Sequence, residues 1–235
     1  MTNEFIFHSI ATVRSCYKEK FGIPRQSGLS DSAKSIIEFN APYTNEEFIR
    51  ELESFSHIWV VFVFHQHLGK DIKPTVRPPR LGGNKKIGVF ASRSPFRPNP
   101  VGLSVVRLEK ITRDNNRIQL HVISADLLDG TPVIDIKPYI GYADAINDSV
   151  DGYVDAKPEH HLEVVFSSQA NSKLEKILND DPALQSLITE TLSLDPRPAY
   201  ADDDTKEYAM RLNDVDVRWV VKEGRVKVLD IEELK

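Results

Sequence analysis

Short β-type segments dominate the first 140 residues of the chain. Positions 103–111 and 117–124 alternate between apolar and polar residues on either side of a polar stretch at 113–116, a pattern typical of a hairpin. The run 58–64 is continuously apolar and rich in β-branched and aromatic residues, which predicts a strand buried on both faces. Further strands are predicted at 5–13, 34–40, 87–90 and 133–136.

One helical pattern interrupts these strands. Thr44 and Glu47 have the spacing of a capping box, and apolar residues follow at 48, 49, 52 and 55, as on one face of an α-helix. Several short strands with turn residues between them and a single helix predict a mainly β domain over residues 1–142. Such a pattern is typical of a barrel or a sandwich.

The composition changes after Gly141. Residues 143–161 are polar, acidic and irregular, which predicts a linker. Asp181 is the predicted N-cap of a helix that has proline at its first position. A smaller α+β C-terminal domain is therefore expected over residues 162–235. Its predicted strands are 162–166, 207–212, 215–221 and 226–231, and its predicted helices are 172–179 and 182–194.

The composition is that of an ordinary globular protein. The 235 residues are 40% hydrophobic and 28% charged. No apolar run reaches transmembrane length and the first residues lack the features of a signal peptide, so we expect a cytoplasmic protein. The single cysteine, Cys16, excludes an intrachain disulfide. The nearby Arg14 and Lys18 would lower the pKa of an exposed thiol, and a buried, inert thiol is the alternative.

Positive charge is concentrated between Lys70 and Pro100. The whole chain carries a net charge of −5, but this basic segment contains eight lysines and arginines and one acidic residue, Asp71. A cationic segment in an acidic protein directs a positive field toward phosphate groups, which predicts contact with nucleic acid. An ordinary solvated surface is the simpler alternative.

Proline-stiffened polar loops separate the predicted strands. Three prolines in six positions hold Arg93, Arg97 and Asn99 in a stiff loop directly before the strand at 103. Arg77 and Arg80 flank two further prolines, and guanidinium groups bind phosphate bidentately. Because strand ends gather at the rim of a barrel, these loops predict a site there for an anionic or planar ligand.

Familiar catalytic motifs are missing from the sequence. It contains no Gly-x-Gly, no Walker loop and no His-Glu-x-x-His, so sites of those types are not predicted. His65 and His67 could ligate a metal at a strand end, but no third ligand has a familiar spacing and no metal is expected. Asp135, Lys137 and Tyr139 share one face of a predicted strand. They could perform acid–base chemistry, or form a structural ion pair beside a packed tyrosine.

Five motifs together resemble the TsaA/TrmO-like tRNA methyltransferase family. They are residues 14–26, 56–66, 77–83, 93–102 and 126–139. The likeness covers about residues 5–142, and residues 195–200 resemble the C-terminal extension of the bacterial members. One departure is Cys16, which stands where the family usually has proline.

The resemblance implies a single-sheeted β barrel, S-adenosylmethionine as the cofactor and tRNA as the partner. The implied reaction is methylation of N6 of N6-threonylcarbamoyladenosine at position 37, in threonine tRNA especially. The family forms homodimers with the cofactor pocket near the subunit interface. Neither a membrane nor a metal is expected to take part.

The resemblance also implies roles for individual residues. RNA contact is implied for Arg77, Arg80, Arg97 and Asn99, and Asp135, Lys137 and Tyr139 are the catalytic candidates. For Arg197 and Tyr200 in the C-terminal domain, a tRNA contact and a packing role are both open. The implied cofactor pocket comprises Pro24, Arg25, Gln26, His65, Gln66, Arg93, Leu103, Asp129, Gly130, Thr131 and Pro132.

Two rival functions remain open at the level of the sequence. The basic loops suit a non-enzymatic RNA-binding module, which would not bind S-adenosylmethionine. His65 and His67 suit a metal-dependent hydrolase, which would contain bound metal.

Overall fold

The structure is a computed structural model that describes residues 3–114, 117–154, 162–178, 181–197 and 206–234. The strands in these residues are β1 Ala11–Ser15, β2 Lys34–Phe39, β3 His57–Val63, β4 Thr75–Val76, β5 Ile87–Gly88, β6 Val101–Asp114, β7 Arg117–Ile123, β8 Pro132–Pro138, β9 Glu163–Phe166, β10 Glu207–Leu212, β11 Val215–Lys222 and β12 Arg225–Glu233. The α-helices are α1 Gly141–Asp144, α2 Ser168–Ile177 and α3 Leu184–Ser193.

Six strands close into an antiparallel barrel in the order β1-β2-β7-β6-β3-β8. The barrel closes where β8 pairs with β1 at Ala11↔Val133 and Thr12↔Pro132. β6 and β7 form the predicted hairpin, with Asp114 opposite Arg117. Alternate apolar residues of the strands fill the interior, among them Val13, Ile37, Val60, Val106 and Leu120. The prediction of a mainly β fold with a barrel is confirmed.

Strand β3 is buried on one face, not on two as its apolar run predicts. Ile58, Val60 and Phe62 point into the barrel and are buried, while Trp59 and Val61 are only half-buried on the outside. The interior of a closed barrel receives one face of each strand, so the other face must find a different partner or remain in solvent. The outer face of β3 is thus an apolar surface.

Three predicted elements of the barrel domain differ from the observed ones. The strand predicted at 87–90 is only two residues long, Ile87–Gly88, and a 3-10 helix, Val89–Ala91, follows it. The helix predicted after Thr44 is replaced by two 3-10 helices, Glu46–Ile49 and Leu52–Ser54. Asn45 caps the first by accepting a hydrogen bond from the Glu47 amide, and Glu51 at φ 65° separates the two. The strand predicted at 5–13 begins only at Ala11, and the side chains of Phe5, Ile6 and Phe7 before it are exposed.

The C-terminal part has the predicted α+β character. Its sheet has the order β10-β11-β12-β9, with β9 parallel to β12. Helices α2 and α3 pack on this sheet around Trp219, Leu187 and Ile188, all fully buried. Asp181 accepts a hydrogen bond from the Ala183 amide, although α3 itself begins at Leu184. In the described parts of the chain, no helix is long and apolar enough to cross a membrane.

Candidate functional site

A cavity of about 430 Å³ opens at one end of the barrel. Its walls come from the segment after β1, the ends of β3 and β6, the stiff loop before β6 and the segment after β7. The lining residues are Lys20, Ile23, Pro24, Arg25, Gln26, Phe62, Phe64, His65, Gln66, His67, Arg93, Pro95, Arg97, Val101, Gly102, Leu103, Ser104, Asp126, Leu128 and Thr131.

Two stiff loops meet across the mouth of the cavity. The Arg93 guanidinium donates a hydrogen bond to the side-chain oxygen of Gln26. The Arg97 guanidinium instead donates to the backbone carbonyls of Ser92, at 3.0 Å, and Val89, at 3.3 Å. Because prolines and these hydrogen bonds restrict the loop, its cationic groups are held in place before any ligand arrives.

Aromatic rings form an apolar wall of the cavity. Phe62 is buried, and its ring lies edge-on to Phe64 with the centroids 5.0 Å apart. The Phe62 ring also lies so close to Gly102 that a Cβ on Gly102 would come within 2.2 Å of it. The missing side chain at Gly102 therefore allows β6 and the aromatic wall to approach one another.

Asp126 supplies a carboxylate to the cavity wall. Its Oδ1 accepts a hydrogen bond of 2.6 Å from the Ser104 hydroxyl. Burial raises the pKa of Asp126, while the Ser104 hydrogen bond and the positive charge of Arg93 act in the opposite direction. A partly desolvated carboxylate of this kind is a strong acceptor for hydrogen-bond donors of a bound molecule.

Lys20, His65 and His67 also line the cavity. The Lys20 ammonium lies 3.4 Å from His67 Nδ1. Burial, followed by the charge of Lys20, lowers the pKa of both histidines, and burial followed by Lys70 lowers the pKa of Lys20. Within the described residues, no cluster of three or more His, Cys, Asp or Glu side chains could hold a metal.

Eight of the eleven residues assigned to the cofactor line this cavity. They are Pro24, Arg25, Gln26, His65, Gln66, Arg93, Leu103 and Thr131. The other three, Asp129, Gly130 and Pro132, flank Thr131 but do not line the cavity.

The turn that carries these three residues is attached to β1. Asp129 accepts a hydrogen bond of 2.7 Å from the Ser15 amide and pairs with Lys18 at 3.2 Å. The Gly130 amide donates to the Val13 carbonyl. The contacts of this turn therefore support Thr131 at the cavity wall.

The three catalytic candidates lie on the outer face of the barrel and not in the cavity of the same chain. Lys137 pairs with Asp135 at 2.7 Å, and both side chains are substantially exposed. Tyr139 packs against the rings of His57 and Trp59. The ion pair beside a packed tyrosine, one of the two interpretations of this pattern, is the arrangement within one chain.

The RNA-contact candidates are divided by the structure. Arg77 and Asn99 are exposed and lie outside the cavity lining, whereas Arg97 lines it. The side chain of Arg80 lies outside the described residues, as does Tyr200. Arg197 forms a bidentate ion pair with Asp195, at 2.8 and 2.9 Å.

Sequence reasoning missed several lining residues. Phe62 and Ser104 lie inside predicted strands, where an apolar or small residue signals only packing. Gly102 ends the stiff loop before the strand predicted at 103. Asp126 stands three residues before the Asp129 turn, and that spacing of two carboxylates at a predicted strand end was the available signal. Cys16, considered as a reactive thiol, is buried, and burial raises its pKa to about 12, so it is inert.

The fold and the cavity together define a β-barrel protein with a cationic small-molecule site at one rim. Residues 12–145 match the family model described as the tRNA-methyltransferase O N-terminal domain, and residues 159–234 match the TrmO C-terminal domain. The chain belongs to the TrmO family of tRNA methyltransferases.

Relatives of this family cover the full length of the chain. A protein of Escherichia coli K12 named tRNA (adenine(37)-N6)-methyltransferase is 44% identical over 98% of this chain and 99% of that protein. A Pseudomonas aeruginosa protein, whose name describes an S-adenosylmethionine-dependent methyltransferase, is 44% identical over 94% of this chain and 95% of that protein. The crystal structure of TrmO from Pseudomonas aeruginosa superposes with a TM-score of 0.80, at 37% identity and 99% coverage of both chains.

Proposed function

We propose that this protein is an S-adenosylmethionine-dependent methyltransferase that acts on adenine 37 of tRNA. Its substrate is N6-threonylcarbamoyladenosine, in threonine tRNA especially, and the product carries a methyl group on N6. The observation that carries the proposal is the rim cavity, which joins a carboxylate, an aromatic wall and fixed cationic loops in a chain of the TrmO family.

The cavity has the size and lining for S-adenosylmethionine. Its volume of about 430 Å³ falls within the usual range for small-molecule sites. Phe62 and Phe64 offer apolar surface to a purine, while Asp126 offers an acceptor to hydroxyl or ammonium groups. The eight lining residues of the implied pocket would hold the cofactor, and Asp129, Gly130 and Pro132 would support Thr131 from behind.

The residues of the chain have a positioning task in this reaction. When bound, the cofactor supplies a methyl group on a positively charged sulfur that is already a strong electrophile. The cavity walls would orient that group and would exclude water from it. Correct alignment of two bound reactants contributes about 7–11 kcal/mol to lowering the barrier, so fixed loops are the main requirement.

The tRNA would contact the basic segment beside the cavity. Arg77, Lys85 and Lys86 are exposed there with one nearby acid, Asp71. We assign phosphate contacts to Arg77, Arg80 and Asn99. We also assign one to Arg97, whose hydrogen bonds to Val89 and Ser92 give it a second task in holding the loop.

A homodimer would bring the catalytic candidates to a cavity. The outer face of β3 carries Trp59 and Val61, and Val61 stands between Leu103 on β6 and Asp135 on β8 in the strand register. Leu103 lines the cavity and is 51% exposed. A second subunit on this apolar face would therefore cover the surface between the cavity and Asp135, with Lys137 and Tyr139 nearby.

In that dimer, Asp135 or Tyr139 of one subunit would accept the N6 proton at the cavity of the other. Lys137 would adjust the basicity of that proton acceptor. General acid–base catalysis of this kind contributes about 10²–10⁴-fold to the rate. We also propose the domain division 1–142, 143–161 and 162–235, in line with the two separate family matches, and a cytoplasmic location, where tRNA is found.

The test is mass spectrometry of position 37 in threonine tRNA from cells with and without this protein. Loss of the methyl mark in the deletion, and its return with the wild-type gene, is the expected result. An unchanged mark would defeat the proposal.

Calorimetry with S-adenosylmethionine distinguishes an enzyme from a non-enzymatic RNA-binding module, since the module would give no heat of binding.

A further inference from the structure

We infer that the C-terminal domain holds the first cofactor segment, residues 18–28, in its binding conformation. The inference deepens the proposed function, because that segment supplies Lys20, Ile23, Pro24, Arg25 and Gln26 to the cavity. Three separate sets of contacts carry it. They lie at the start, the middle and the end of the segment.

The start of the segment is attached to the C-terminal sheet by its backbone. Tyr17 forms a β-bridge with Leu212 of β10. The Asn213 amide donates to the Cys16 carbonyl at 2.8 Å. The Glu19 carboxylate accepts a hydrogen bond of 3.1 Å from the Arg211 amide. The chain leaving β1 of the barrel therefore continues along an edge of the other domain.

The middle of the segment packs into the C-terminal core. The Phe21 ring stacks on Tyr208 and Trp219, each at a centroid distance of 6.2 Å. Gly22 follows at φ 94°, and a Cβ there would come within 3.0 Å of the Met210 sulfur. The positive φ favours glycine at this position, and a side chain there would also press on Met210. Ile23 and Pro24 then turn directly into the cavity wall.

The end of the segment is held by a single side chain of α3. One carboxylate oxygen of Glu190 accepts hydrogen bonds from the Ser30 hydroxyl at 2.7 Å and the Ser32 amide at 2.9 Å. The other accepts from the Ser32 hydroxyl at 2.7 Å. Ser30 is buried, so these charge-assisted bonds are shielded from water. Glu190 thus fixes the loop that leads from the cavity back to β2.

Between these attachments, the barrel also contacts the segment: Lys18 pairs with Asp129 at 3.2 Å, and Lys20 lies 3.4 Å from His67. The Gly28 amide donates to the Ser124 carbonyl, and Arg93 donates to Gln26. A cofactor wall with both ends on another domain is pre-organised by that domain, and pre-organisation raises affinity by reducing the ordering that binding requires. Glu190 and Phe21 are therefore positioning residues for the cofactor.

The experiment compares Glu190→Ala and Glu190→Gln with a matched control, Glu175→Ala, which removes an exposed glutamate of α2. Calorimetry of the full chain gives Kd for S-adenosylmethionine, and steady-state assays give KM for the cofactor and for tRNA. We expect Glu190→Ala to raise Kd and the cofactor KM at least fivefold with the tRNA KM unchanged. Glu190→Gln, which keeps the length and an acceptor oxygen, should recover part of the loss, and the control should match wild type.

Hydrogen exchange of residues 18–28 provides a readout that does not depend on the cofactor. Faster exchange confined to this segment in Glu190→Ala, at a temperature where the variant remains folded, is the expected result. Wild-type exchange together with wild-type Kd would overturn the inference. If the wild-type protein fails to bind S-adenosylmethionine, the proposed function fails, and the exchange measurement still decides whether the C-terminal domain holds the segment.

Discussion

The carboxyl group of Asp126 lies at the cavity wall with Ser104 as its hydrogen-bond donor and Arg93 as the nearby positive charge. Its pKa is raised because burial outweighs both of these effects. A folded state that binds the proton more tightly than the unfolded chain loses stability as the pH rises above the ordinary pKa of 3.8. The ionised form of Asp126 therefore lowers the stability of the fold, and it is the form that offers a charged acceptor to the site.

Replacing Asp126 with asparagine tests whether the charge of Asp126 lowers stability and strengthens cofactor binding. Asp126→Asn keeps the shape and an acceptor for Ser104 but removes the charge. We expect a higher Tm than wild type at pH 7, with the difference shrinking as the pH falls toward 3.8. We expect roughly tenfold weaker binding of S-adenosylmethionine, since a hydrogen bond to a charged group contributes about 1.5–3 kcal/mol. Thermal unfolding and calorimetry measure the two effects.

The control is Asp148→Asn, at an exposed site, which should change neither the Tm nor the binding. A lower Tm at pH 7 for Asp126→Asn would contradict the prediction.

Gly102 has no side chain because the Phe62 ring occupies that space. In Gly102→Ala the new Cβ would overlap the ring, so Phe62 must move into the cavity or β6 must move away. Overpacking of this kind costs about 1–3 kcal/mol of stability. We expect a lower Tm and a raised KM for S-adenosylmethionine, measured by thermal unfolding and initial rates. Gly88→Ala is the matched control, because nothing lies within 4 Å of its Cβ position. Equal behaviour of the two variants would mean that the contact is not needed.

Single residues also show what sequence patterns could reveal of the site. Pro24, Gln26 and Arg93 stand in polar, proline-rich loops, where packing gives no reason for them, and they line the cavity. Phe62 and Ser104 lie in strands whose patterns signal a core, and their cavity positions depend on how two strand ends meet. That meeting is a property of the closed barrel, which no local pattern records.

At the scale of elements, the predicted strands are present, but the one predicted at 5–13 begins only at Ala11 and the one at 87–90 spans only Ile87–Gly88. The apolar run of β3 correctly predicted a strand. The prediction that both of its faces are buried was wrong, because the barrel closes on itself and buries only the inner face. The helical spacing after Thr44 produced two 3-10 helices, because Glu51 at φ 65° interrupts them. Period and composition therefore predicted element type well, whereas burial and helix continuity depended on tertiary structure.

The loop that follows β4 carries positive charge that would attract the phosphates of tRNA. Arg77 is exposed there and lies outside the cavity lining. We expect Arg77→Ala to weaken tRNA binding and to reduce the slope of log affinity against log salt by about 1, because about one phosphate contact is lost. Binding assays at several salt concentrations measure the slope, and calorimetry should give an unchanged Kd for S-adenosylmethionine. Arg225→Ala, which removes an exposed arginine of β12, should leave the slope unaltered. An Arg77→Ala slope equal to that of wild type would exclude the contact.

At the scale of the whole molecule, the two domains and the outer face of the barrel divide the work around one cavity. The C-terminal domain holds the segment that includes Pro24 and Gln26, and the barrel supplies Asp126, Ser104 and the aromatic wall. The ion pair of Asp135 and Lys137 remains outside the cavity of its own chain. In the proposed homodimer, this pair of one subunit would face the cavity of the other.

Mixed dimers test whether the second subunit supplies the pair. Arg93→Ala disables the cavity of its own chain, and Asp135→Asn disables the proposed proton acceptor. If Asp135 acts across the interface, a heterodimer of the two variants contains one site with both wild-type residues. Random mixing of two weakly active homodimers should then restore about a quarter of wild-type activity, since half of the dimers are mixed and each has one intact site. Single-turnover methylation after co-refolding or co-expression measures the recovery.

The matched control is a mixture of the Arg93→Ala variant with the double variant Arg93→Ala,Asp135→Asn, and it should recover no activity. No recovery in the test mixture, with heterodimers shown to be present, would assign Asp135 to its own chain or to a structural role, and near-wild-type rates of Asp135→Asn alone would remove it from the mechanism.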